Sequence, residues 1–91
     1  MDQRYLHRML TELHEELTST YPVDRANREL LEQLAGDIDA IVTREPSAVA
    51  QEQYGRLRAR LVEVAATLEA AHPRIADAVE RVVDTLVLFN L

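Results

Sequence analysis

The chain of 91 residues has a net charge of −6, is 47% hydrophobic and 29% charged, and contains no cysteine. A single short domain of this size buries a limited core, so association with partners is expected to add to its stability. That hydrophobic content excludes a disordered chain, and the missing thiols exclude a disulfide framework, a thiolate nucleophile and a zinc-thiolate site.

Apolar residues recur at spacings of three and four throughout, with no alternating β-branched run and no two-residue hairpin turn, which predicts an all-α protein. Pro22, Pro46 and Pro73 divide the chain, because proline is poorly tolerated within a helix and biases the preceding residue away from helical angles. The first predicted helix, roughly 2–18, carries Leu6, Met9, Leu10, Leu13 and Leu17 on one stripe, with Asp2 as its cap. After "STYPVD", Asp24 is expected to cap a second helix, 24–44, whose Leu30, Leu31, Leu34, Ile38, Ile41 and Val42 form a wider face. Ser47 is expected to cap a third, 47–71, with Val49, Gln53, Leu57, Leu61, Val64 and Leu68 on its inner seam and Gly55 as a weak point. The fourth, 73–88, is apolar over nearly half its circumference through Ile75, Val79, Val82, Val83, Leu86 and Val87. Connections this short favour antiparallel neighbours, so residues 1–91 are expected to form one up-and-down bundle of about four helices.

The acidic balance argues against nucleic acid, because such a surface repels a phosphate backbone. The densest basic group, "RLRAR" with Arg56, Arg58 and Arg60, has Glu52 one turn before Arg56 and Glu63 three residues after Arg60, so intrahelical ion pairs are expected to occupy it. Aromatic residues make up 4% of the chain, too few for base stacking. The opening "MDQRYLHRMLTELHEEL" lacks the basic and then apolar pattern of an export signal, and no apolar run is long enough to cross a bilayer. The expected compartment is the cytoplasm, without membrane attachment.

Within "LEAAHPRIAD", Glu69 and His72 stand at the i, i+3 spacing from which di-metal helical bundles build half-sites. Such a centre needs a second copy of the motif and carboxylates from other helices, whereas this chain has one copy and a proline directly after the supposed ligand. The same residues suit a helix junction, with His72 at the end of one helix and Pro73 opening the next. No metal or cofactor is therefore assigned, and Glu69 and His72 remain the candidates of a metal-binding alternative. His7 and His14, seven residues apart, flank the leucine stripe of the first helix and suit a helix or subunit boundary. The carboxylate groups Glu12/Glu15/Glu16, Asp37/Asp39 and Glu80/Asp84 read as solvated helix faces, Ser19 and Ser47 as caps, and no glycine-rich loop is present to hold a phosphate.

"ELHEEL" at 12–17, "LLEQLAGDIDAI" at 30–41 and "HPRIADAVERVVDTL" at 72–86 follow one another in an order that resembles the small bacterial family catalogued as domain of unknown function 4404. The resemblance implies a compact helical bacterial protein and brings no catalytic residues with it. The residues themselves point to a non-catalytic protein–protein interaction module that self-associates, a dimer first, or that meets another protein. Its candidate interface is the excess apolar surface of the second and fourth helices, namely Leu30, Leu34, Ile38, Ile41, Val79, Val83, Leu86 and Val87. The alternative is a metal-binding bundle protein or enzyme using Glu69 and His72.

Overall fold

The three- and four-residue apolar spacing winds into four helices: α1 (Gln3–Thr20), α2 (Arg28–Val42), α3 (Gln51–Leu68) and α4 (Pro73–Leu88). The computed structural model describes residues 3–45 and 48–91. The caps expected at Asp2 and Ser47 and the break expected at Pro46 lie outside the described residues. Each helix runs antiparallel to its neighbour and α4 returns against α1, closing an up-and-down bundle. Thr85 near the end of α4 reaches Met9 near the start of α1, Gln51 at the start of α3 reaches Asn90 just past the end of α4, and Gln33 and Arg44 meet Arg60 and Gln53 in reverse order, which fixes the direction of three of the four seams. The closest packing is between α3 and α4 and between α1 and α2, while α2 and α3 meet most sparsely.

The core takes Leu6, Leu10, Leu13 and Leu17 from α1, and Leu31, Leu34, Ile38 and Ile41 from α2. It takes Tyr54, Leu57, Leu61, Val64 and Leu68 from α3, and Ile75, Val79, Val82 and Leu86 from α4. The radius of gyration, 12.3 Å, is the value of about 12 Å expected for a chain of this length folded as one body. Among the described residues, no helix is long and apolar enough to cross a membrane.

The helix ends differ from the expected bounds for local reasons. α1 continues to Thr20, and Ser19, expected as a cap, instead donates its hydroxyl to the Glu16 carbonyl at 2.9 Å inside the last turn. α2 begins at Arg28, because Asp24 closes a three-residue turn by accepting from the main-chain N–H and side-chain amide of Asn27, at 3.1 and 3.0 Å. α3 starts at Gln51, and Gln53 turns back to accept from the Ala50 N–H, so Tyr54 takes the inner position expected of Gln53. α4 occupies the predicted span and has Pro73 at its start, where a missing N–H costs nothing. It ends with Asn90 in the left-handed region, φ 60°, while the N–H groups of Asn90 and Leu91 return to the carbonyls of Val87 and Leu86. That double return is a Schellman closure, with asparagine where glycine is commonest.

Candidate functional site

His72 stands between two helices and serves both. Its main-chain N–H closes the last turn of α3 on the Leu68 carbonyl at 2.8 Å, and its carbonyl accepts the Ala76 N–H at 2.9 Å to start α4. The imidazole turns away from Glu69, which is exposed at the end of α3, and donates from Nε2 to the carboxylate of Asp24 in the α1–α2 turn. The hydrogen bonds from His72 and then from Asn27 lower the Asp24 pKa from 3.8 to about 2. The pair thus fastens one inter-helix turn to the other at the same end of the bundle.

A histidine–aspartate couple is also part of a nucleophilic triad, which needs a hydroxyl on the imidazole. Here the serine and threonine hydroxyls nearest in sequence to Asp24, on Thr18, Ser19 and Thr20, are all donated to main-chain carbonyls of α1. Among the described residues, no group of three or more histidine or carboxylate side chains is placed to hold a metal ion.

The opposite end has its own histidine contact. His7 on α1 bonds through Nε2 to the hydroxyl of Tyr54 on α3 at 2.8 Å, with the rings edge to face and their centroids 6.3 Å apart. Tyr54 is fully buried, so its hydroxyl needs this partner. Burial lowers the His7 pKa and raises that of Tyr54. His7 is therefore a helix-boundary histidine, as expected, although the sequence reading had not paired it with Tyr54. His14 is half-buried in the groove between α1 and α2, beside Tyr21 and Asp39.

The arginine group also departs from expectation. Arg60 is half-buried at the α2–α3 seam and reaches across it, pairing with Asp37 at 2.8 Å and donating to Gln33 at 3.2 Å, in place of a pair with Glu63 on its own helix. Among the described residues, Arg56 forms no ion pair with Glu52 and lines the groove of about 260 Å³ between α2 and α3. Arg58 points to the other side of α3 and donates to the main-chain oxygen of Leu91 at 2.7 Å.

Of the eight candidate interface residues, Leu34, Ile38, Ile41, Val79 and Leu86 are buried in the chain's own core, and Leu30 and Val83 are half-buried. Val87 is 55% exposed. On the outer side of the α3–α4 pair, Val83 faces two residues of α3 outside the expected set: Val62, also 55% exposed, and the exposed Ala66. Val62, Ala66 and Val83 border an open groove of about 330 Å³, which Glu69, Glu80 and Asp84 also line, and Val87 lies one turn beyond Val83 on α4. The signal was in the sequence as two i, i+4 pairs, Val62/Ala66 and Val83/Val87, each one step off its helix's core stripe.

The family model described as Domain of unknown function (DUF4404) matches residues 6–88, nearly the whole chain, and the protein belongs to that family. No curated protein and no solved structure matches the chain.

Proposed function

We propose that this DUF4404 protein is a non-catalytic, self-associating interaction module of the cytoplasm, and that it works through the outer face of α3 and α4. The observation that carries this reading is the apolar stripe of Val62, Ala66, Val83 and Val87, of which Val83 is half-buried and the other three stay exposed after the bundle has filled its own core. Isolated apolar side chains on a surface are ordinary, whereas a contiguous set along a groove with charged ends is the pattern of a contact site. The polar clusters favour the same reading, because each is already committed to holding the fold. Asp24 and His72 join two turns, His7 satisfies a buried tyrosine, and Asp37 and Arg60 bridge α2 and α3.

The test is sedimentation equilibrium over a wide range of protein concentration. The mass is expected to rise above that of one chain as concentration increases. A mass fixed at one chain throughout contradicts self-association.

A further inference from the structure

We infer that the outer α3–α4 face is a self-complementary surface whose partner is a second copy of this chain, related by a two-fold axis perpendicular to the helices so that α3 lies antiparallel on α3. This rests on the self-association proposed above and adds the surface and the orientation.

The argument comes from the order of side chains along the face. Because the two helices are antiparallel, Arg58 lies at one end beside Leu91, to whose main-chain oxygen it donates, and Glu69 lies at the other beside Glu80. Val62 and Ala66 on α3 and Val83 and Asp84 on α4 occupy the stretch between, with Val87 one turn beyond Val83. Arg58 and Glu69 are eleven residues apart, roughly 16 Å along a helix at 1.5 Å per residue, and the midpoint falls between Val62 and Ala66. The face therefore carries Arg58 at one end, Glu69 and Glu80 at the other, and apolar side chains between them with Asp84 beside Val83.

A face-to-face dimer has two simple ways to place its axis. An axis parallel to the helices sets α3 on α4 of the other copy and brings like ends of the two faces together. Glu69 then meets Glu80, and the acidic ends repel. An axis perpendicular to the helices reverses one copy. Arg58 then meets Glu69 of the second copy, the symmetric contact repeats at the far end, and the apolar middles coincide. A two-fold contact is self-complementary by construction, so each favourable charge pair counts twice. The end charges Arg58, Glu69 and Glu80 thus favour the antiparallel arrangement, while burial of the valines supplies the attraction.

Exchange of charges provides the test. Arg58→Glu puts acid against acid at both ends of the interface, and the double variant Glu69→Arg/Glu80→Arg puts base against base. Each variant alone is expected to dissociate at concentrations on the order of tenfold or more above wild type, because two symmetric attractions become repulsions. An equimolar mixture restores both pairs and is expected to sediment as a one-to-one dimer near wild-type affinity. All three substitutions are at exposed positions, and far-UV circular dichroism should show every protein equally helical. If wild type associates and each variant alone associates just as tightly, or if mixing restores nothing, this surface and orientation are wrong while self-association stands. Wild-type protein that never exceeds one chain overturns self-association itself, and the dimer with it.

Discussion

Leu61 and Val62 are consecutive in α3, yet Leu61 is fully buried and Val62 is 55% exposed; on α4, Leu86 and Val87 repeat the contrast at 0% and 55%. One step along a helix turns the side chain by about 100°, enough to carry an apolar residue from the inside of this bundle to its outer face. The inner side of the α3–α4 pair is spent on stability, and the outer side has no part of the chain over it. Both members of each pair are apolar, so what separates them is direction.

Substitution of these neighbours is the strongest way to break the comparison. Leu61→Ala and Leu86→Ala should each destabilise the fold by roughly 2–5 kcal/mol in urea titrations, because a cavity is left in a filled core. Val62→Ala and Val87→Ala should stay within about 0.5 kcal/mol of wild type when measured at concentrations low enough to keep the chains apart. Comparable losses at inner and outer positions would erase the distinction.

The next effect concerns how the inside is sealed at its two ends. Tyr54→Phe removes the hydroxyl that holds His7 and should cost about 1 kcal/mol, measured by the same titration. The two histidine contacts should also be separable by pH. Burial lowers the His7 pKa below 6.5, so the folded chain takes up that proton less readily than the unfolded one. Its contribution is complete above about 6.5 and is lost as pH falls below it. Asp24, lowered from 3.8 to about 2, contributes fully above 3.8 and loses its contribution as pH falls from 3.8 toward 2. Stability measured at successive pH values should therefore fall in two windows. His7→Gln should remove the first decline and Asp24→Asn the second; a single decline untouched by either would contradict the assignment.

The smallest effect sharpens the view that outward positions have space around them. A Cβ built on Gly36 or Gly55 meets nothing within 4 Å, and both residues lie within helices. Gly36→Ala and Gly55→Ala should each stabilise by about 0.5–1 kcal/mol in thermal or urea unfolding. A loss at either would reveal a close neighbour.

The helices, their order and most of the core leucines were legible in the sequence, because amphipathic periodicity is a local signal. α4 took its predicted span since Pro73 marks its start unambiguously. Less legible were the contacts that depend on which turns meet in space. Asp24 reads locally as a helix cap and His72 as a helix end, and nothing across a separation of 48 positions announces that they bond. Tyr54 was missed because Gln53 continued the expected spacing, and the choice between them was made by Gln53 turning back to the Ala50 N–H. Five of the eight candidate interface residues lie in the core for a related reason. A wide apolar face on α2 and α4 looks like an excess when helices are considered singly, but four helices in a closed ring cover most of it and leave Val62, Val83 and Val87 at the edge.

Those three valines give the most direct measurement of the central idea, that the outer α3–α4 face is where this protein makes contact. Methyl spectra of valine-labelled protein recorded at increasing concentration should show the signals of Val62, Val83 and Val87 shifting progressively. Val23, which is 80% exposed in the turn between α1 and α2, should remain fixed and serves as an exposed control. Signals from the three face valines that stay constant, or that move no more than Val23, would contradict the account.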